Sequence, residues 1–208
     1  IASRVVFSMQ PQEIQTAFTA IIPNYENQVD AWLPGIPDSN ERLALVSLAY
    51  NGLVGTRTDA QGNFLGYNSA ALRQAILGDN RAEAWYEIRY NSNADAGHTN
   101  RRYEEAQTFG LYNGPIINPQ PDVAEAKAIF QMYTTHRETI AAYESNPAFA
   151  PTTHGALAFQ GESFLAREVL VTTYAQFAGA PTIIDGEVLV GTNTGNIIDE
   201  YGSLDLSK

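Results

Sequence analysis

Apolar residues recur at helical spacing almost from the first turns of the chain. Gln10–Pro11–Gln12–Glu13 reads as a helix start, with proline early and an acid in the first turn, and Ile14, Ala17, Phe18 and Ile21 follow as one face. Pro23–Asn24 is expected to break that helix, and Tyr25, Val29, Trp32 and Leu33 begin a second, shorter apolar stripe. A loop through Pro34–Gly35 and Pro37 leads to Ser39, a helix cap without the full capping box. From Leu43 to Leu53 the pattern is apolar nearly all round, so this helix is predicted to be buried.

The pattern then turns polar. Residues 55–68 predict a short hairpin whose turn is Asp59–Ala60–Gln61–Gly62–Asn63. Asn68 or Ser69 should cap a helix with Leu72, Ala75, Ile76 and Leu77 on its apolar face, and Asn80 should cap the next, Arg81–Tyr90, with Trp85 and Ile88 inward. A further helix is predicted over Thr99–Phe109. Gly114–Pro115, Asn118–Pro119 and Pro121 then mark the strongest boundary, so two parts are expected, 1–113 and 114–208. The second part opens with one long helix, Asp122–Tyr143, and ends in β-branched stretches around Asp185–Gly186, a hairpin signal. The predicted fold is mainly α: a lobe of about six helices, then a linker, a long helix and a small β-containing tail.

Composition narrows the function classes. The 208 residues are 44% hydrophobic and 17% charged, a globular balance, with no cysteine to supply a thiol nucleophile, a disulfide or a cysteine zinc site. A net charge of −11 argues against nucleic acid as partner, and no run of sequence approaches a membrane span. The eight basic residues before Gly114 are all arginine, suited to fixed planar contacts, and Arg101–Arg102 are expected to pair with Glu104 and Glu105. His98, His136 and His154 lack ligand spacing, so neither a metal nor another cofactor is expected. Ser163, His154 and Asp185 lack the GxSxG elbow of a hydrolase triad. The C-terminal VLVGTNTGN reads as turn chemistry more readily than as a calcium repeat. The opening IASRVVFSMQ, without an initiator Met, reads as a cut from a longer polypeptide.

Two short motifs carry candidate chemistry. Tyr50–Asn51–Gly52 closes the buried helix and is at least a C-cap. Arg89–Tyr90–Asn91–Ser92–Asn93 sets an arginine and an aromatic before an Asn-rich turn, groups that suit a sugar's C–H faces and hydroxyl pairs; the alternative is that Arg89 pairs with Glu87 or Glu105 and Tyr90 is core. With SLAYNG, RAEAWYEIRY, the FGLY ending and the helix order, residues 5–113 resemble the helical lobe of the phage-type lysozymes, a family of phage endolysins and pesticin-like bacteriolysins.

That resemblance implies hydrolysis of the β-1,4 link between the amino sugars of peptidoglycan. It implies a protein that is secreted or delivered to the bacterial cell wall, in the periplasm or outside the cell. Tyr50, Asn51, Arg89, Tyr90, Asn91 and Asn93 would then line the sugar groove. The family's chemistry also needs a glutamic acid opposed by an Asp and a Thr on a small hairpin. None of Glu13, Glu26, Glu41, Glu83, Glu87, Glu125, Glu138 or Glu144 has those partners in such a setting. No catalytic residue is therefore assigned, and the acid would come from an upstream lobe of the same polypeptide. The alternative is a non-catalytic module that binds wall glycan, or another partner, within a larger bacterial or phage protein.

Overall fold

In the computed structural model, which describes residues 10–92, 97–114, 119–146, 161–163, 165–170, 172, 182–184 and 187–189, the chain is mainly helical. Helix α1 (Pro11–Trp32) opens with Pro11 in its first turn and the Glu13 carboxylate accepting the Gln10 backbone N–H at 2.7 Å. The expected break does not occur: α1 runs straight through Pro23, so among the described residues five helices lie between 11 and 109 where about six were expected. An interior proline forfeits a hydrogen bond and costs about 3 kcal/mol. The turns beyond it offset that cost. Val29 and Trp32 are fully buried, the Trp32 indole N–H donates to the Asn68 carbonyl at 2.9 Å, and Asp30 meets Arg42 at 2.6 Å.

Helix α2 (Asn40–Tyr50) starts where Ser39 Oγ accepts the Arg42 N–H, and it packs antiparallel on the second half of α1. Ala44, Leu45, Val46, Leu48 and Ala49 are buried, but Leu43 and Tyr50, seven residues apart, leave one edge of the helix open to solvent. Gly52 leaves the helix at φ +72°, a left-handed exit that glycine takes without steric cost. The expected hairpin follows as β1 (Thr56–Thr58) and β2 (Phe64–Tyr67), antiparallel with Thr56 opposite Tyr67 and an irregularity after Arg57. Its turn is tied by Asp59 Oδ1, which accepts from the backbone N–H groups of Gln61 and Asn63 at 2.9 and 2.8 Å.

Helix α3 (Ala70–Leu77) buries Leu72 and Ala75 but exposes Leu77, and Asn68, a candidate cap, instead donates its amide to the Gly52 carbonyl. Helix α4 (Arg81–Arg89) is capped by Asn80 as its sequence predicts. It packs on both α5 (Thr99–Phe109) and α6 (Val123–Ser145). Asp122 caps α6 in a reciprocal box with Glu125. Residues 161–163 and 165–170 are helical, and β3 (Thr182–Ile184) pairs antiparallel with β4 (Glu187–Leu189). Asp185–Gly186 and the stretch after Leu189 lie outside the described residues.

The chain divides into two compact units between Ala70 and Ala71, and within the second α6 packs directly on α4. Two outcomes test this account. Leu45→Ala empties a fully buried site and should cost about 2–5 kcal/mol in urea denaturation. Pro23→Ala restores a helical hydrogen bond and should raise stability by about 1–3 kcal/mol, with a gain in far-ultraviolet helix signal.

Candidate functional site

Arg89, at the end of α4, is 1% exposed, and Tyr90, the next residue, is 5% exposed. Neither forms the open floor of a groove. The Arg89 guanidinium lies 4.9 Å from the Tyr90 ring centre, 5.3 Å from that of Tyr103 on α5 and 5.5 Å from that of Tyr143 on α6. Its Nη1 also reaches the Tyr143 hydroxyl at 3.5 Å. Tyr90 completes the cluster, edge-on to Tyr143 and to Trp85 and stacked beside Tyr86, with its hydroxyl donating to Glu144 at 2.6 Å. The core reading of Tyr90 holds. Aromatic faces surround the Arg89 guanidinium, one of them from a tyrosine on α6 whose position the sequence spacing does not reveal.

Glu105 serves the other two arginines. Arg101 Nε meets it at 3.1 Å, and Arg102, itself buried, hydrogen-bonds its second oxygen. The expected Arg101–Arg102 pairing with a carboxylate of the same helix is therefore present, with Glu105 as the acceptor.

A polar ridge runs along α4 beside this cluster. Glu83, Glu87 and Asn91 follow one another at four-residue steps, which places them on one face. Asn91 donates its amide to Glu87 at 2.9 Å, and Asn91 itself is exposed. Across from Glu83, His136 Nε2 donates to both carboxylate oxygens, at 2.8 and 3.0 Å, while its ring stacks 3.7 Å from Tyr86. Burial pushes the Glu87 carboxyl above the usual range, partly countered by Asn91, and does the same to Glu144, countered by Tyr90. Burial, then the Glu144 charge, drives the Tyr90 hydroxyl far above the usual tyrosine range. Sequence reasoning passed over Glu83, His136 and Glu144 as site neighbours. The spacing of Glu83, Glu87 and Asn91 was a usable signal, but nothing local says which helix opposes them.

In the other unit, Tyr50 is 54% exposed at the end of α2, edge-on to Tyr25 at 5.2 Å between ring centres. Asn51 turns its amide back to the Ser47 carbonyl at 2.8 Å, a cap interaction that holds the half-exposed side chain at the helix end. Of the six residues expected to line a groove, Tyr50, Asn51 and Asn91 reach the surface, Arg89 and Tyr90 are interior, and Asn93 lies outside the described residues. Among the described residues no group of three or more histidines and carboxylates could hold a metal ion, and no helix is long and apolar enough to cross a membrane. Ser163 is buried, while His154 and Asp185 lie outside the described residues. No known family, curated protein or solved structure matches the chain.

The half-buried carboxyls of Glu87 and Glu144 set a pH dependence. A carboxyl held above its ordinary value of 4.5 binds its proton more tightly in the folded chain, so its contribution is full below that value and is lost as pH rises through the higher folded one. Asp30 and Asp59, lowered by hydrogen bonds from Arg42 and Asn63, act in the opposite sense, and their contribution is lost as pH falls. Glu144→Gln separates the two. Urea midpoints of the wild type should decline from mildly acidic to neutral pH more steeply than those of the variant. Arg89→Ala should cost about 2–4 kcal/mol at any pH, because it empties the centre of the cluster.

Proposed function

We propose that this chain is a muramidase-like helical lobe that binds the β-1,4-linked amino-sugar strand of peptidoglycan, at the cell wall, as part of a larger bacterial or phage protein. The observation that carries the reading is the exposed Tyr50 ring beside Asn51 at the end of α2, backed by Tyr25. An aromatic face with an adjacent amide offers a pyranose both a C–H contact and a hydroxyl partner. Cleavage itself would require a glutamic acid from an upstream lobe, with an Asp and a Thr opposite it.

A second reading is binding without cleavage, in which the exposed Tyr50 ring and Asn51 hold the glycan and no glutamic acid is supplied to cut it.

Titration with chitooligosaccharide or soluble muropeptide tests binding, and clearing of purified cell walls tests cleavage. Saturable binding that falls about tenfold in Tyr50→Ala, with the helix signal intact, is the expected result, a loss of about 1.4 kcal/mol. Equal binding by wild type and variant would remove the groove assignment. Binding without clearing would select the second reading.

A further inference from the structure

The first half of α1 is the least explained surface of the molecule. Every residue from Pro11 to Ile21 is exposed, among them Ile14 at 54%, Phe18 at 55% and Ile21 at 40%. These three form a stripe, and the stripe is continuous with the seam that α1 already uses. Ile14, Phe18, Ile21, Tyr25, Val29 and Trp32 follow at intervals of four, three, four, four and three, the spacing of a helix-pairing face. From Tyr25 onward that face is taken by α2, whose last residue, Tyr50, meets Tyr25. The preceding fourteen residues carry the same face roughly 20 Å further, and among the described residues no element packs on it.

Charge says what suits it. Between Pro11 and Tyr25 the one charged residue is Glu13, in a chain whose net charge is −11. An acidic molecule repels its own copy through most of its surface, but not through this stretch. The absence of Lys or Arg along it removes the attraction that draws amphipathic helices to anionic lipid. A helix of this length without tertiary cover is marginal in water, yet its start is built with Pro11 and a Glu13–Gln10 hydrogen bond.

We propose that the leading half of α1 is a self-association surface, on which a second copy of this chain packs its own α1 antiparallel about a two-fold axis near Phe18. Ile14 of one copy then meets the Ile21–Ile22 turn of the other, the Phe18 rings fill the centre, and the two Glu13 carboxylates lie at opposite ends. The inference is independent of glycan binding. The stripe is short, so the buried area falls at about 1,000 Å², the low end for specific interfaces, and dissociation constants on the order of 10 μM are expected.

Sedimentation equilibrium of the whole chain across a concentration series tests this. The wild type should pass from monomer to dimer, and Phe18→Asp should stay monomeric with an unchanged circular dichroism spectrum. Leu77→Asp, an equally exposed apolar site on α3, should dimerise like the wild type. A wild type that remains monomeric throughout overturns the proposal, and so does a Phe18→Asp variant that still dimerises. Binding of the monomer to neutral phosphatidylcholine vesicles without self-association also overturns it, in favour of a lipid occupant.

Discussion

The second unit is organised around a buried cation. Removing a guanidinium from water is expensive, and the cost is recovered only if every face of it finds a suitable neighbour. Arg89 finds the rings of Tyr90, Tyr103 and Tyr143, drawn from the end of α4, from α5 and from α6. Each ring offers its negative face to the same charge. Three helices are thereby held to one point, and the point tolerates little displacement, since moving any helix away leaves a desolvated charge behind. The neighbouring hydrogen bonds, Tyr90 to Glu144 and His136 to Glu83, repeat the connection between α4 and α6 on either side of it.

This arrangement changes what the arginine–aromatic motif means. Read along the chain, Arg89, Tyr90 and the asparagines after them form a set of sugar-binding groups. In the folded molecule the first two turn inward and Asn91 turns outward, so that this part of the motif spans the surface instead of lying on it. Tyr50 shows the converse. It belongs to a helix buried at Ala44, Leu45, Val46, Leu48 and Ala49, yet it stands at the open edge with Leu43. Recognition by such a molecule would depend on a few exposed groups on helix ends, each made rigid by a buried neighbour.

The two units also differ in how their helices are covered. Around α4 both faces that carry apolar residues are packed, by α5 and by α6. Among the described residues helix α1 is covered over its second half, by α2, and its leading half keeps an apolar face exposed. Pro23 lies near that transition. The loss of a hydrogen bond there weakens the coupling between the halves without ending the helix, because the burial of Val29 and Trp32 holds the second half in place.

Most of the elements could be read from the chain directly. Capping side chains at Ser39, Asn80 and Asp122, the Asp59 turn and the apolar spacing of α4 to α6 are local signals, decided by residues within a few positions of each other. The mainly helical class follows from them, as does the core position of Trp85. What the tertiary structure alone decided is everything that required knowing the opposing surface. That Pro23 would be absorbed, that α6 would join α4 across the Gly114–Pro121 stretch, and that Arg89 would be enclosed by tyrosines all depend on partners more than ten positions away. Periodicity states that a helix has a face. Which neighbour covers that face, or whether the chain leaves it uncovered, is set by the balance of burial and desolvation in three dimensions.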